Sequence, residues 1–298
     1  MLVVGPNLAL DRLVRIPELR PGEVQHFQSA DVRPGGKGVN VCRAAARLGA
    51  RARLVAFVPG RTGAAAAQML VEEGVDLLAV PCQGEIRAAT IVLEAGGRVT
   101  VLNEPGPAID AESWRACEEL VAEELGAGEW LVCIGSSPPG TPSDGYARLS
   151  ALAPGRCLVD ANGDLLRRAL AARPAVACPN EAEVAGSFGI ERDPASQARL
   201  LVEKGAAAAV VKAGERGCAW FDGYRGGTAV VGDVRVVNPI GAGDAFVAGL
   251  VSVLEAGGGL GAAVEQASAV AAASVEELLP GTFDPLRAQQ LSAKVRVS

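Results

Sequence analysis

Short runs of aliphatic and β-branched residues alternate along most of the chain with longer, alanine-rich segments. LVVG (2–5) and ARLVAFV (52–58) are apolar almost throughout and predict strands buried on both faces of a sheet. Between them, KGVNVCRAAARLG (37–49) predicts a helix that ends at Gly49. The alternation predicts βαβ units, and therefore an α/β fold in which helices cover both faces of a mainly parallel sheet.

The carboxyl ends of the strands are where a ligand binds on such a sheet. Four later apolar runs also predict strands, at 130–135, 156–161, 175–180 and 208–214. Polar residues and glycines stand at or near the ends of the predicted strands, namely Asn7, Gly135, Asp160, Asn180 and Gly214. The sequence therefore predicts a binding site along this edge of the sheet.

Two stretches, 11–35 and 84–106, show strand-like alternation with no helix between their strands. Because AGG (95–97) is typical of a hairpin turn, we expect these stretches to pair into a small antiparallel sheet outside the main one. Such a sheet would form a lid over the carboxyl edge. We therefore divide the chain into a lid, residues 11–33 and 84–105, and a large domain, residues 1–10, 34–83 and 106–298.

Composition argues against several classes of function. The formal net charge is −6 and there is no long basic run, so neither a nucleic acid nor a membrane surface is an expected partner. The seven cysteines include no C-x-x-C pair, so a disulfide framework or zinc site is not expected. No signal peptide is evident, and no apolar run approaches the ~20 residues that span a bilayer. We expect a cytoplasmic protein that binds a small molecule.

The stretch NPIGAGDAFVAG (238–249) carries the main chemical signal. Gly241, Ala242 and Gly243 precede an apolar helix, so their backbone N–H groups and the helix dipole could receive a phosphoryl group in transit. Asp244, in the first turn, would then act as the general base toward an attacking hydroxyl. A helix N-terminus with a favourable aspartate is an equally good explanation of these four residues alone.

A second glycine cluster, RPGGKGVN (33–40), suits a polyhydroxylated or anionic ligand. Gly35 and Gly36 permit close approach of the backbone, Lys37 supplies a cation, and Asn40 offers a two-sided amide. An ordinary hinge that leads into a helix is the alternative interpretation.

Two further clusters suit a nucleotide and its metal ion. Asn180 and Glu183 have i, i+3 spacing and could hold hydrated Mg²⁺ through water, although an N-cap with a capping-box glutamate fits equally well. In VKAGERG (211–217), Gly214 and Gly217 would let the backbone approach a polyphosphate, unless the segment is a plain hairpin.

Three single residues give weaker signals. Asp11 could accept hydrogen bonds from sugar hydroxyls, and Arg87 could make a fork to a substrate phosphate. For either residue alone, a solvated surface charge is the better explanation. His26 is the only histidine, and packing or solvent exposure explains it better than catalysis.

These motifs resemble those of the PfkB (ribokinase-like) carbohydrate kinases over nearly the whole chain. GGKGVNVCRAAARLG and NPIGAGDAFVAG correspond, in this order, to the two signatures of that family. PNLALDR, GEIR, GSSPPGTP and PNEAEV are most similar to the branch of 1-phosphofructokinases and tagatose-6-phosphate kinases. The resemblance implies a ribokinase-like three-layer α/β/α fold with a β-sheet lid. It also implies ATP as phosphoryl donor, Mg²⁺, and a homodimer formed through the lid.

The resemblance implies roles for individual residues. Asp244 would be the base, and the Gly241–Gly243 backbone would form the anion hole. The sugar side of the site would comprise Asp11, Gly35, Gly36, Lys37, Asn40, Arg87 and Ser136, with Arg87 near a substrate phosphate. The nucleotide side would comprise Asn180, Lys212, Gly214 and Gly217, with Glu183 serving the metal through water.

The chain departs from this branch at three places. Ile86 replaces a threonine beside the arginine, Ile134 replaces the first serine of S-G-S-L-P, and Lys212 replaces a serine before the nucleotide turn. The first two changes remove hydroxyls near the expected substrate phosphate, at ~1–3 kcal/mol apiece if they are not replaced. The third change adds a cation near ATP.

The leading hypothesis is an ATP-dependent kinase that phosphorylates a hydroxymethyl group of a phosphorylated ketohexose, such as fructose 1-phosphate or tagatose or fructose 6-phosphate. A kinase of an unphosphorylated sugar or nucleoside is one alternative. A catalytically silent sugar- or nucleotide-sensing relative is another. A dinucleotide-dependent dehydrogenase is not supported, since no G-x-G-x-x-G follows the first strand.

Overall fold

The computed structural model describes residues 1–191 and 193–298. Within these residues the chain forms fourteen strands: β1 (Leu2–Val4), β2 (Ala9–Ile16), β3 (Ala30–Gly35), β4 (Arg53–Phe57), β5 (Asp76–Val80), β6 (Arg87–Glu94), β7 (Val99–Asn103), β8 (Leu131–Ile134), β9 (Cys157–Asp160), β10 (Val176–Ala177), β11 (Ala208–Lys212), β12 (Cys218–Phe221), β13 (Gly226–Val231) and β14 (Val295–Val297). They divide between a ten-stranded main sheet and a four-stranded small sheet.

The main sheet has the order β14-β13-β12-β11-β10-β9-β8-β1-β4-β5. From β11 to β5 all neighbouring strands are parallel, as the alternation of apolar and helical segments predicts. Beyond β11 the neighbours are antiparallel. The short turns that join β11 to β12 and β12 to β13 explain the antiparallel pairing of these three strands, because a parallel neighbour requires a long crossover.

Helices cover both faces of the main sheet. In the described ranges they are α1 (Lys37–Arg47), α2 (Gly60–Glu72), α3 (Ala111–Glu124), α4 (Gly145–Leu152), α5 (Gly163–Ala171), α6 (Glu181–Phe188), α7 (Pro194–Glu203), α8 (Ala242–Glu255), α9 (Leu260–Ser274) and α10 (Pro285–Ser292). One core lies between the sheet and α1, α2, α8, α9 and α10, and a second core lies between the sheet and α3 to α7. The predicted three-layer α/β/α arrangement is therefore confirmed.

The small sheet has the order β3-β2-β6-β7 and contains both stretches predicted to pair. Its two outer pairs are antiparallel, whereas the central pair, β2 and β6, is parallel, so the sheet is mixed rather than wholly antiparallel. The predicted hairpin turn is present, with Gly97 at a φ of 85° between β6 and β7. Leu13 and Ile91 bury one face of the sheet against Ile240 and Leu278. The small sheet is thus packed against the main body near α8.

Two features bear on the expectations from composition. None of the helices in residues 1–191 and 193–298 is long and apolar enough to cross a membrane. The described residues include all seven cysteines, which are free thiols, and all but Cys82 are buried.

Candidate active site

A cleft of about 1340 Å³ lies at the carboxyl edge of the main sheet, with residues of the small sheet along one side. The structure brings nearly all of the predicted site residues to this cleft. Its lining includes Asp11, Gly36, Lys37, Asn40, Arg87, Ser136, Asn180, Glu183, Lys212, Gly214, Gly217, Gly241, Ala242, Gly243 and Asp244. Gly35 does not line it. His26 is exposed and lies outside the lining.

Gly35 contacts the side chain of Asp11, which does line the cleft. Gly35 on β3 pairs with Ala9 on β2, two residues before Asp11, and a Cβ atom on Gly35 would lie 2.0 Å from Oδ2 of Asp11. Only glycine therefore leaves room for this carboxylate. Burial raises the pKa of Asp11, although the charges of Arg87, Arg43 and Arg33 oppose the rise.

Asp244 lies in the first turn of α8 and is only 5% exposed. Its Oδ2 accepts a 2.8 Å hydrogen bond from Nδ2 of Asn40, on α1. Burial raises the pKa of this carboxyl from 3.8 to about 6, although Lys37 and the bond from Asn40 oppose the rise. The predicted base is therefore inside the cleft, with a pKa close to neutrality.

The turn that precedes α8 depends on Gly241. This residue has a φ of 84°, and a Cβ atom on it would lie 2.9 Å from Cβ of Pro280. The amides of Ala242 and Asp244 donate to the carbonyls of Pro239 and Gly241, whereas within the described ranges those of Gly241 and Gly243 donate no hydrogen bond. We call these last two N–H groups the α8 amides. Of the three amides predicted to receive an anion, two are thus available.

A buried charge cluster lies beside the α8 amides and is centred on Asp160, which is fully buried at the end of β9. Nζ of Lys37 donates to Oδ1 of Asp160 at 3.3 Å and to Oε1 of Glu183 at 2.9 Å. Lys212 donates to Oδ2 of Asp160. Burial would raise the pKa of Asp160, but the two ammonium groups hold it below its usual value.

The sequence analysis predicts Asp160 only at a strand end and assigns it no role. The signal was present, since an acid that ends the apolar run CLVD on a parallel strand must find a partner. Lys37, predicted on the sugar side of the site, lines the cleft and donates to two carboxylates.

Asn180 and Glu183 form a complete capping box at the start of α6, and both also line the cleft. Oδ1 of Asn180 accepts from the amide of Glu183, and Oε2 of Glu183 accepts from the amide of Asn180, both at 2.8 Å. In the described part of the chain, no three His, Cys, Asp or Glu side chains converge as a metal site. Mg²⁺ fits these residues only as a hydrated ion held mainly by substrate phosphates, which is its usual mode.

The segment that joins β11 to β12 is a hairpin that opens onto the cleft. It contains a 3₁₀ turn, Gly214–Arg216. Gly214 has a φ of 58° with nothing within 4 Å of a Cβ position, whereas a Cβ on Gly217 would lie 1.9 Å from the carbonyl oxygen of Ala229. Gly214 therefore leaves the backbone of this turn open on one side, and Gly217 lets the turn pack closely against β13.

At the small-sheet side of the cleft, Nη1 of Arg87 donates to Oδ1 of Asn103 at 2.9 Å. Oγ of Ser136 accepts from Nδ2 of Asn7 at 3.0 Å. Among the described residues, Nε of Arg87 and Oγ of Ser137 are buried without a hydrogen-bond partner. The sequence placed Asn7 on the predicted binding edge without a role, and it missed Asn103 and Ser137 as side chains of this region, because only the fold brings the small sheet against these loops.

Comparison with known proteins identifies the family. Residues 6–286 match the profile of the pfkB family of carbohydrate kinases. The chain belongs to this family. A 1-phosphofructokinase of Rhodobacter capsulatus is 30% identical over 306 residues, covering 99% of this chain and 96% of the relative. A D-tagatose-1-phosphate kinase of Bacillus licheniformis is 28% identical, covering 98% and 97%.

The fold agrees with this assignment. The crystal structure of phosphofructokinase-2 from Escherichia coli in complex with potassium has a TM-score of 0.91 at 27% identity, covering 98% of each chain. This pfkB protein is therefore a carbohydrate kinase, and the family, branch and ribokinase-like fold predicted from its motifs are confirmed.

Proposed function

We propose that this pfkB kinase transfers the γ-phosphoryl group of ATP to a hydroxymethyl group of a phosphorylated ketohexose, with Asp244 as the general base. The observation that carries the proposal is the position of Asp244, which is buried beside the α8 amides and bonded to Asn40. A base is most effective when its pKa is near the working pH, and the pKa of about 6 meets this condition.

In this mechanism the carboxylate of Asp244 takes the proton of the sugar hydroxyl as its oxygen forms a bond to the γ-phosphorus. The bond from that phosphorus to the β–γ bridging oxygen breaks, and its electron pair stays on ADP. The α8 amides donate to the oxygens of the phosphoryl group in transit, where the helix dipole adds partial positive charge. Asn40 fixes the orientation of the base.

The nucleotide would lie along the turn that follows β11, with its phosphates near Lys212 and the open backbone of Gly214. Asn180 and Glu183 border the same part of the cleft. Glu183 would bind hydrated Mg²⁺ through water, and the ion would neutralise charge on the phosphates. Asp11 and Asn40 would hold the sugar hydroxyls, and Lys37 would lie between the sugar and the phosphates.

The substrate phosphate would bind between Arg87 and the loop after β8. Nε of Arg87 and Oγ of Ser137 would gain hydrogen-bond partners there, and Ser136 lies beside them on the lining. Ser137 offsets the hydroxyl that the branch carries at the position of Ile134. Ile86 is buried and does not line the cleft. A threonine hydroxyl at this position would therefore not have faced the cleft. The names of the two relatives favour a ketohexose 1-phosphate.

The small sheet would act as the lid, with the boundaries 11–33 and 84–105, and would exclude water when it closes. It would also form the contact of a homodimer. Support for this comes from the edge strands β3 and β7, which carry exposed Val32 and Leu102. Light scattering tests the dimer, and the mass of a single chain would contradict it.

The substrate is tested by measuring ADP release with ATP, Mg²⁺ and a panel of fructose 1-phosphate, fructose 6-phosphate, tagatose 6-phosphate, fructose, ribose and adenosine. We expect a phosphorylated ketohexose to give the highest kcat/KM. Arg87→Ala should raise the KM for it ~10–100-fold through loss of a charge-assisted bond, with the KM for ATP unchanged. Arg12→Ala, at an exposed arginine of the same sheet, is the matched control. Preference for fructose, ribose or adenosine would contradict the proposal.

A further inference from the structure

Lys212 occupies an unusual position for a lysine. It ends β11, its side chain is only 12% exposed, and its ammonium is bonded to the fully buried Asp160. Burial would lower the pKa of Lys212, but its acidic neighbours, Asp160 foremost, together outweigh this effect and raise the pKa, so the side chain is charged. The protein therefore holds a fixed positive charge inside the cleft.

The ammonium group of Lys212 lies beside the N-terminus of α8. A Cβ atom on Gly243 would be 3.4 Å from Nζ of Lys212 and 3.8 Å from its Cδ and Cε atoms. The lysine thus packs on the residue that supplies one of the α8 amides. A group that accepts a hydrogen bond from the Gly243 amide would also be within reach of the ammonium.

Lys212 also has donors to spare. An ammonium carries three N–H groups, and among the described residues Lys212 donates only to Asp160. Lys37 donates to both Asp160 and Glu183, which leaves it one N–H group. Of the two lysines in the cluster, Lys212 is the one that can make two further bonds to an anion.

We propose that Lys212 is a catalytic residue that contacts the phosphoryl group in transit together with the Gly243 amide, and that Asp160 is its positioning residue. The inference rests on the proposed function. In the phosphoryl transfer described above, Lys212 stays protonated throughout and only stabilises charge on the phosphoryl oxygens.

The alternative is that Lys212 merely neutralises Asp160. Lys212→Met keeps the length of the side chain and removes the charge, and Lys204→Met, at an exposed lysine, is the matched control. We expect Lys212→Met to lower kcat ~10²–10³-fold, with the sugar KM changed by less than about three-fold. The double variant Asp160→Asn with Lys212→Met contains no uncompensated carboxylate at this position and should be equally slow.

A binding measurement separates the transition state from the ground state. ADP is titrated alone, and then with sugar phosphate, Mg²⁺ and aluminium fluoride, which mimics the phosphoryl group in transit. Lys212→Met should weaken the fluoride complex by ~100-fold and ADP alone by less than about five-fold. Equal weakening of both complexes, or recovery of turnover in the double variant, would overturn the inference.

The two proposals can fail separately. If the wild-type protein phosphorylates no sugar of the panel, the proposed function is wrong. If the wild type is active and Lys212→Met retains turnover within about three-fold of it, only the role of Lys212 is wrong.

Discussion

Replacement of Asp244 by asparagine should lower turnover strongly and, at the same time, stabilise the fold. Asparagine fills the same space, and its Oδ1 can still accept the bond from Asn40. The change therefore removes the charge and the capacity to take a proton. Because burial raises the pKa of this carboxyl from 3.8 to about 6, ionisation is less favourable in the folded than in the unfolded chain. A shift of about two units corresponds to roughly 3 kcal/mol.

The sign of the pH dependence follows from the direction of this shift. The folded chain binds the Asp244 proton more tightly than the unfolded chain, so the cost of ionisation is absent below about pH 4, grows between about pH 4 and 6, and is complete above about pH 6. The variant should therefore gain up to ~3 kcal/mol in free energy of unfolding at pH 8 and almost nothing at pH 4. Urea denaturation at the two pH values measures the difference.

The stability of Asp244→Asn should rise, whereas its catalytic activity should fall. Loss of a general base costs typically ~10²–10⁴-fold in kcat, and we expect the loss in Asp244→Asn to lie in this range. In the wild type, kcat/KM should fall about tenfold per pH unit below about pH 6, because the protonated carboxyl cannot accept the hydroxyl proton. Both effects are measured by ADP release.

Asp233→Asn is the matched control for these measurements. Asp233 lines the same cleft but is exposed, and its φ of 57° is one that asparagine tolerates. In Asp233→Asn we expect neither the loss of turnover nor the pH-dependent gain in free energy of unfolding that we expect in Asp244→Asn. Turnover of Asp244→Asn within about tenfold of the wild type, or a stability gain that is equal at pH 4 and pH 8, would refute the reasoning.

Two glycine substitutions test the close contacts behind the site. Gly35→Ala should raise the sugar KM ~10-fold, because its Cβ would meet the Asp11 carboxylate at 2.0 Å, and it should add nothing in an Asp11→Ala background. Additive effects on KM in that double variant would contradict the contact. Gly281→Ala should cost ~2–4 kcal/mol in chemical denaturation, because its φ is 74° and its Cβ would lie 2.8 Å from Cα of Asn40. Gly257→Ala, with a φ of 83° and no atom within 4 Å, should cost only the ~1–2 kcal/mol of backbone strain, and equal losses would contradict the clash.

Local sequence signals were enough to predict Asp244 and the turn before α8. A glycine-rich turn followed by an acid and an apolar run specifies both a helix start and its first-turn side chain within one short segment. The same is true of the capping box at Asn180 and Glu183, where the spacing alone defines the hydrogen bonds. For this segment the structural and the functional interpretations are compatible, since the capped turn also faces the cleft.

Strand pairing in the small sheet could not be obtained in this way. Alternation of polar and apolar residues predicts that 84–106 forms strands, but it contains no information on which strand lies beside which. The parallel pairing of β2 with β6 joins segments more than 70 residues apart and depends on packing against Ile240 and Leu278. The partner of Arg87, Asn103, is by contrast a local neighbour, since it lies on β7 in the hairpin that β7 forms with β6.

The sequence by itself determined the family, the α/β alternation, and most of the residues that line the cleft, because each of these is written in short segments with a fixed local geometry. Only the tertiary structure decided which of the charged residues pair with one another. Lys37, Asp160, Glu183 and Lys212 come from four separate segments, and each looks like an isolated charge in the sequence. Burial at one sheet edge forces them to pair, since a buried charge needs a partner. That pairing leaves Lys212 beside the N-terminus of α8.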